Sequence, residues 1–244
     1  MCDSIIKEGS DDMGKLLVIE GTDCSGKATQ TEKLVSRLRE DGYKVGTMSF
    51  PVYESSTGQI IGACLLGKPA MCDELLKENH GFFKEGGGEV ESLVASLFYA
   101  ADRRYNLPEI KRLLDENDIV VLDRYVTSNM AHRGGMLPLK KDRLKIYKKL
   151  DLLEYKICEL PRPDYVCLLY LPYEYGMELK KNRNEILDEA ERNEKYLKNG
   201  EKAYLELASL YDFNVIDCVS DGKVKSIDNI HEELYGVVRK LVRK

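Results

Sequence analysis

Leu16-Leu17-Val18-Ile19 is a continuous apolar run that ends in Glu20-Gly21 and passes straight into Thr22-Asp23-Cys24-Ser25-Gly26-Lys27-Ala28. No other feature of the chain constrains its fold so tightly. A short run of this kind suits a strand buried on both faces, which a parallel sheet with helices on either side provides. Gly21 to Ala28 matches G-x-x-x-x-G-K-[ST] at every fixed position except the last. Glycines at those positions let the backbone curl until successive N–H groups point inward at phosphate oxygens. Lys27 adds positive charge against the β and γ phosphates, and the helix N-terminus behind it adds its dipole. From Ala28 to Glu40, Leu34, Val35 and Leu38 share a helical stripe, and Gly42 follows where a left-handed residue ends a helix. Strand, glycine loop and helix thus stand in the order that phosphate binding requires. Gly21, Thr22, Asp23, Cys24, Ser25, Gly26, Lys27, Ala28 and Thr29 are expected to bind a nucleoside triphosphate, with Lys27 also catalytic.

The alternation continues along the chain. Lys44 to Phe50 reads as a second strand, ended by Pro51, which cannot donate to a ladder. Ile119-Val120-Val121-Leu122, Tyr165 to Leu171 and Asn214 to Cys218 are further strand runs. The segments between them have helical length: Val90 to Tyr105, about Pro108 to Asn117, Lys140 to Leu160, Glu174 to Leu210 in pieces, and Ile227 to Val242. This predicts an α/β fold, a parallel five-stranded sheet with helices on both faces. Ile227, Ile230, Leu234, Val238 and Leu241 lie at helical spacing and mark the last helix as a packing element. Residues 1–14 carry charge and glycine with only Ile5-Ile6 to bury, so they are expected to be a loose leader before a single domain at 15–244. Met71 to Glu89, which contains Gly86-Gly87-Gly88, has weak periodicity and reads as a surface excursion or mobile loop.

Composition narrows the partners. With 244 residues the chain can bury a full core and is short for two domains. Its 37 Lys and Arg are interspersed with 42 Asp and Glu, so no basic footprint for nucleic acid exists. The seven Cys are odd in number, scattered and without a C-x-x-C pair, which argues against a disulfide framework or zinc site and fits reduced thiols in the cytoplasm. No stretch reaches the roughly 18 apolar residues that span a bilayer, and the polar opening residues lack a signal-peptide pattern. A cytoplasmic protein without nucleic-acid or membrane partners is expected.

Asp123-Arg124-Tyr125 follows directly on Ile119 to Leu122. That places a carboxylate and a guanidinium at the carboxyl edge of a strand, where α/β sheets bind ligands, and the pair can serve metal and phosphate together. Ala28 departs from the loop pattern, because the hydroxyl normally there ligates Mg²⁺. Asp123, Asp23 and Glu191 are the candidate carboxylates for the metal, unless it keeps an additional water.

These blocks resemble the thymidylate kinase family. The resemblance lies in Gly21 to Gln30, Phe50-Pro51, Leu97-Phe98-Tyr99-Ala100-Ala101-Asp102-Arg103 and Asp123-Arg124-Tyr125 with Ser128-Asn129, in that order, and extends from about Lys15 to Tyr211. It implies ATP- and Mg²⁺-dependent phosphoryl transfer to a deoxynucleoside monophosphate, dTMP by preference, within dTTP biosynthesis, by a homodimer. It places Asp23 near the acceptor phosphate and sugar hydroxyl, Arg103 as a clamp on the monophosphate, and Tyr99 as the aromatic that stacks on the pyrimidine. Ser128 and Asn129 match positions close to the base. His132 stands where Tyr or Phe is usual, against the C2′ carbon, and Phe50, Pro51, Tyr53 and Arg124 complete the acceptor set. Val52-Tyr53 replaces a phosphate-holding arginine of many members, a role Arg133 is placed to take. A helical lid at about 172–198 is expected to bring Arg183 or Arg192 onto the donor phosphates, Arg183 having the better spacing for a catalytic role. Cys24 occupies the loop position where one subgroup of the family carries a catalytic arginine. Two other readings remain open: a kinase for deoxynucleosides or another monophosphate, and a nucleotide-dependent switch, for which the N-K-x-D guanine motif is missing.

Overall fold

The computed structural model describes residues 13–66, 83, 90–183 and 194–242, the side chains of 181–183 excepted. In chain order the elements are β1 (Lys15–Gly21), α1 (Lys27–Glu40), β2 (Val45–Ser49), α2 (Ser56–Ile60), a π-helical turn (Ile61–Leu65), α3 (Ser92–Tyr105), α4 (Leu107–Glu116), β3 (Ile119–Asp123) and α5 (Val126–Gly135). There follow α6 (Lys140–Asp151), a π-helix (Leu152–Ile157), β4 (Tyr165–Tyr170), α7 (Tyr173–Arg183), α8 (Glu194–Leu210), β5 (Asn214–Asp217), β6 (Val219–Ser220), β7 (Lys223–Val224) and α9 (Ile227–Val242).

The apolar runs become one parallel sheet in the order β2-β3-β1-β4-β5, as expected from the sequence. Successive residues of each strand feed opposite layers. Leu16, Val18, Val120 and Leu122 pack with Ile110, Met130, Leu150 and Leu207 on one side, and Leu17, Ile19, Val121 and Leu169 pack with Leu34, Leu38, Leu234 and Val238 on the other. Ile19 pairs with Asp123 and Gly21 with Leu169, so the carboxyl ends of the three central strands reach one edge. The chain leaves β1 toward β2 on one flank and later adds β4 on the other, which opens a crevice at that edge.

Several elements go beyond the sequence reading. Helix α5 was not expected; it follows Arg124, whose backbone has φ +65°. The helix expected to run to Leu160 ends as a regular helix at Asp151 and continues as the π-helix. A small hairpin joins β6 to β7 through Asp221 (φ 50°) and Gly222 (φ 70°), the D-G turn that matches strand twist. The excursion at 71–89, Phe83 excepted, and the leader up to residue 12 lie outside the described residues.

Candidate active site

The loop that leaves β1 is fixed from beneath. A Cβ on Gly21 would sit 2.4 Å from Ser25 Oγ and 3.1 Å from the Leu169 carbonyl, so only glycine passes there. Thr22 Oγ1 donates to the Leu171 carbonyl (2.7 Å) and accepts from Leu171 N–H (2.8 Å), pinning the loop to the end of β4. Gly26 caps α1 at φ +74°. Lys27 Nζ makes one long contact, 3.5 Å to the Gly21 carbonyl. Burial, and then Arg124, push its pKa down to about 8, against the opposing pull of Asp123, Glu20 and Asp23. Ala28 and Thr29 lie exposed on α1.

Glu20, 0% exposed, is the hub next to the loop. Its Oε1 accepts from Thr127 Oγ1 (2.6 Å) and Tyr125 N–H (3.3 Å), and its Oε2 from Ser128 Oγ (2.6 Å) and Tyr204 Oη (3.1 Å). These bonds tie α5 and α8 to β1 and hold Arg124 between them. Arg124 Nη1 donates toward Ser128 Oγ (3.4 Å), Tyr204 Oη (3.5 Å) and His132 Nε2 (3.4 Å). A guanidinium can only donate, so His132 Nε2 accepts and its Nδ1–H faces Tyr196 Oη at 2.9 Å. The ring stacks on Tyr196 and is neutral: burial, then Arg124, Arg133 and Lys27, hold its pKa well below the usual value. Gly134 and Gly135 allow this assembly, since a Cβ on either would meet the Tyr147 ring or the Asn199–Gly200 backbone of α8.

Asp123 closes the site on the sheet side. Its Oδ1 is buried with no hydrogen-bond partner among the described residues. An orphaned carboxylate oxygen at this edge fits a hard cation. Among the described residues no group of three or more His, Cys, Asp or Glu comes together as a potential metal cluster. Helix α7 rests on the loop, where a Cβ on Gly176 would come within 3.2 Å of the Asp23 carbonyl. Arg192 and Glu191 lie outside the described residues, as does the Arg183 side chain.

Tyr99 lies on α3. Burial raises its phenol pKa to about 12, and Arg133, Tyr196, Tyr53 and Arg124 all act on it electrostatically. Asp102, one turn on, accepts from Val52 N–H (3.0 Å), Thr57 Oγ1 (2.7 Å) and Ser55 Oγ (3.2 Å), and so anchors the segment after the cis Phe50-Pro51 bond. Arg103 Nε and Nη2 form a bidentate pair with Glu154 (2.6 and 2.5 Å), and the residue is 2% exposed, so in this structure the guanidinium expected to clamp the monophosphate is engaged by a carboxylate. Asn129 Nδ2 donates to the same carboxylate (3.0 Å), while its Oδ1 is buried and without a partner among the described residues.

A family model described as thymidylate kinase matches residues 19–233 of this chain. The chain belongs to the thymidylate kinase family. It is 30% identical to the thymidylate kinase of Mycobacterium tuberculosis over 199 residues, covering 80% of this chain and 86% of that one. To the probable thymidylate kinase of Thermococcus gammatolerans it is 27% identical over 230 residues, covering 93% and 96%. A solved thymidylate kinase structure from Candida albicans superposes with a TM-score of 0.69 at 22% identity, covering 95% of this chain and 94% of that one, a likeness of fold.

As a member of the thymidylate kinase family the chain is a nucleotide-binding phosphotransferase. Thr22, Asp23, Cys24 and His132 line one pocket with Tyr196 and Tyr204, and Arg124 joins Ser128 and His132 beside it. The sequence reading missed Glu20, Glu154, Tyr196 and Tyr204. The depressed Lys27 pKa gives this kinase a testable pH limb. Burial and Arg124 push the Lys27 pKa down to about 8, so any phosphate-binding role of its ammonium would be lost above that pH. The value of kcat/KM for ATP is expected to be level below that pH and to fall about tenfold per unit above it. A profile flat to pH 9.5 would contradict the assignment.

Proposed function

We propose that the protein transfers the terminal phosphoryl group of Mg-ATP to dTMP, giving dTDP and ADP, in the cytoplasm and as a homodimer. Donor phosphates lie on Gly21 to Thr29 with Lys27 against them; the acceptor lies between Tyr99, Ser128, Asn129 and His132. The acceptor phosphate is already nucleophilic, so no side chain acts as a strong base. Catalysis consists of aligning two anions and neutralising their charge through Lys27, Arg124 and lid residues Arg183 or Arg192. Mg²⁺, when bound, neutralises β and γ phosphate oxygens; Asp123 and Asp23 would hold it, together with Glu191.

One observation carries the choice of base. Glu154 only accepts, so it fixes the Asn129 amide with Nδ2 toward the carboxylate and Oδ1 as an uncommitted acceptor. Thymine offers a ring N–H to such an oxygen, and cytosine, whose N3 carries no hydrogen, does not. For the dimer, Leu93, Val94 and Leu97 form an exposed apolar strip on α3 that a second copy would cover. Among the described residues no helix is long and apolar enough to cross a membrane.

A coupled ADP-release assay over dTMP, dUMP, dCMP, dGMP, AMP and thymidine tests the reading. The expected order has dTMP first, dUMP behind it and thymidine inert. Turnover of thymidine with none of dTMP would overturn the assignment.

A further inference from the structure

Arg133 lies in the last turn of α5 and is 8% exposed. A guanidinium is buried at high cost unless a carboxylate or several acceptors receive it. The other buried arginines meet that condition. Arg103 pairs with Glu154, and Arg143 pairs with Glu206 while donating to the Leu137 and Pro138 carbonyls. Arg133 does not. Its Nη1 reaches Met136 Sδ at 3.6 Å, a weak acceptor, and its Nε is buried without a partner among the described residues. No carboxylate pairs with it among the described residues. The negative end of α5 favours a cation there, but that effect is small beside the burial of a charge.

The position of this unbalanced charge is informative. Burial, then Arg124, Arg133 and Lys27, hold the His132 pKa below its usual value, and Arg133 opposes the burial that raises the Tyr99 phenol. Its charge therefore reaches the acceptor half of the crevice, where Tyr99 and His132 face the incoming nucleotide. The segment after Phe50-Pro51 offers Val52-Tyr53 and no cation.

We propose that Arg133 is the ligand of the acceptor phosphate, its uncommitted donors pairing with the monophosphate that enters beside Tyr99 and His132. This rests on the monophosphate kinase reading given above. A buried cation without a carboxylate partner among the described residues is then the counter-charge for a substrate anion. Its guanidinium fork suits two phosphate oxygens at once.

The test compares Arg133→Gln with the parent protein in kinetics, calorimetric binding and thermal melting. The KM for dTMP is expected to rise about 10- to 100-fold, with the KM for ATP within about twofold. Thymidine, which lacks the phosphate, is expected to bind both proteins equally. The Tm is expected to hold or rise, because the variant removes a buried unpaired charge. Arg133→Lys, which keeps charge without the fork, is expected to recover part of the dTMP affinity and serves if the Gln variant folds poorly. Equal weakening of thymidine and dTMP, a lowered Tm with unchanged dTMP kinetics, or no effect at all would each overturn the proposal. Failure of the kinase reading is seen separately, as a parent protein that releases no ADP with dTMP.

Discussion

Replacing Lys27 with alanine is expected to lower kcat by about 10³-fold while leaving the Tm unchanged or slightly raised. The ammonium has one long contact to the Gly21 carbonyl, and its pKa is pushed down to about 8 by burial and then by Arg124. A lysine whose folded pKa lies below its unfolded value destabilises the free fold at neutral pH, and that penalty disappears as pH rises above the folded pKa. On the proposed function, the charge is kept for the phosphates it would meet in the transition state. Single-turnover rates at saturating ATP and dTMP, with melting curves at pH 7, check both halves. A kcat within tenfold of the parent would remove Lys27 from the chemistry, and a large fall in Tm would make it a structural residue. Lys27→Arg keeps the charge but brings a planar fork into a loop shaped for a point charge, and most of the loss is expected to remain.

The sheet was legible because its strands are short apolar runs and the loop after β1 admits one strand-to-helix geometry. Helix α5 was not legible, for a physical reason. Thr127-Ser128-Asn129 and Gly134-Gly135 are poor helix formers, and the segment is held by hydrogen bonds from Thr127 and Ser128 to Glu20, more than 100 residues earlier in the chain. A tertiary contact outweighed local propensity. The hairpin at Asp221-Gly222 did carry a readable turn signal, and so did Glu20, a carboxylate closing an apolar strand and therefore in need of donors.

The site divides along the same line. Gly21 to Lys27 and Asp123-Arg124 are local motifs and needed no distant partner to be read. The resemblance gave Arg103 as a clamp on the monophosphate, and its pairing with Glu154 was not read because that carboxylate lies 51 residues away. Its signal is present in the chain: Glu154 follows Leu150 by four residues, continuing beyond α6 the spacing at which Ile146 and Leu150 are buried. A carboxylate on an apolar stripe requires a cation, and Arg103 is that cation. The π-helix from Leu152 to Ile157 carries Glu154 into the core beside both Arg103 and Asn129.

Glu154→Ala is expected to destabilise the protein by about 3–5 kcal/mol, since it strands Arg103 as a buried charge without a partner. For a chain of this size that is a fall in Tm of about 6–20 °C. The double variant Glu154→Ala with Arg103→Met removes both charges and is expected to recover most of the loss, a coupling that a double-mutant cycle measures directly. If the single and double variants melt together, the pair does not hold the fold as described. The double variant also reports on the base. Without Glu154 the Asn129 amide is free to turn its Nδ2 toward the nucleotide, and an N–H can then meet the unprotonated N3 of cytosine. The preference for dTMP over dCMP in kcat/KM is expected to narrow about tenfold in the double variant, whereas a preference unchanged from the parent would mean that Glu154 does not set the amide and that base choice lies elsewhere in the pocket.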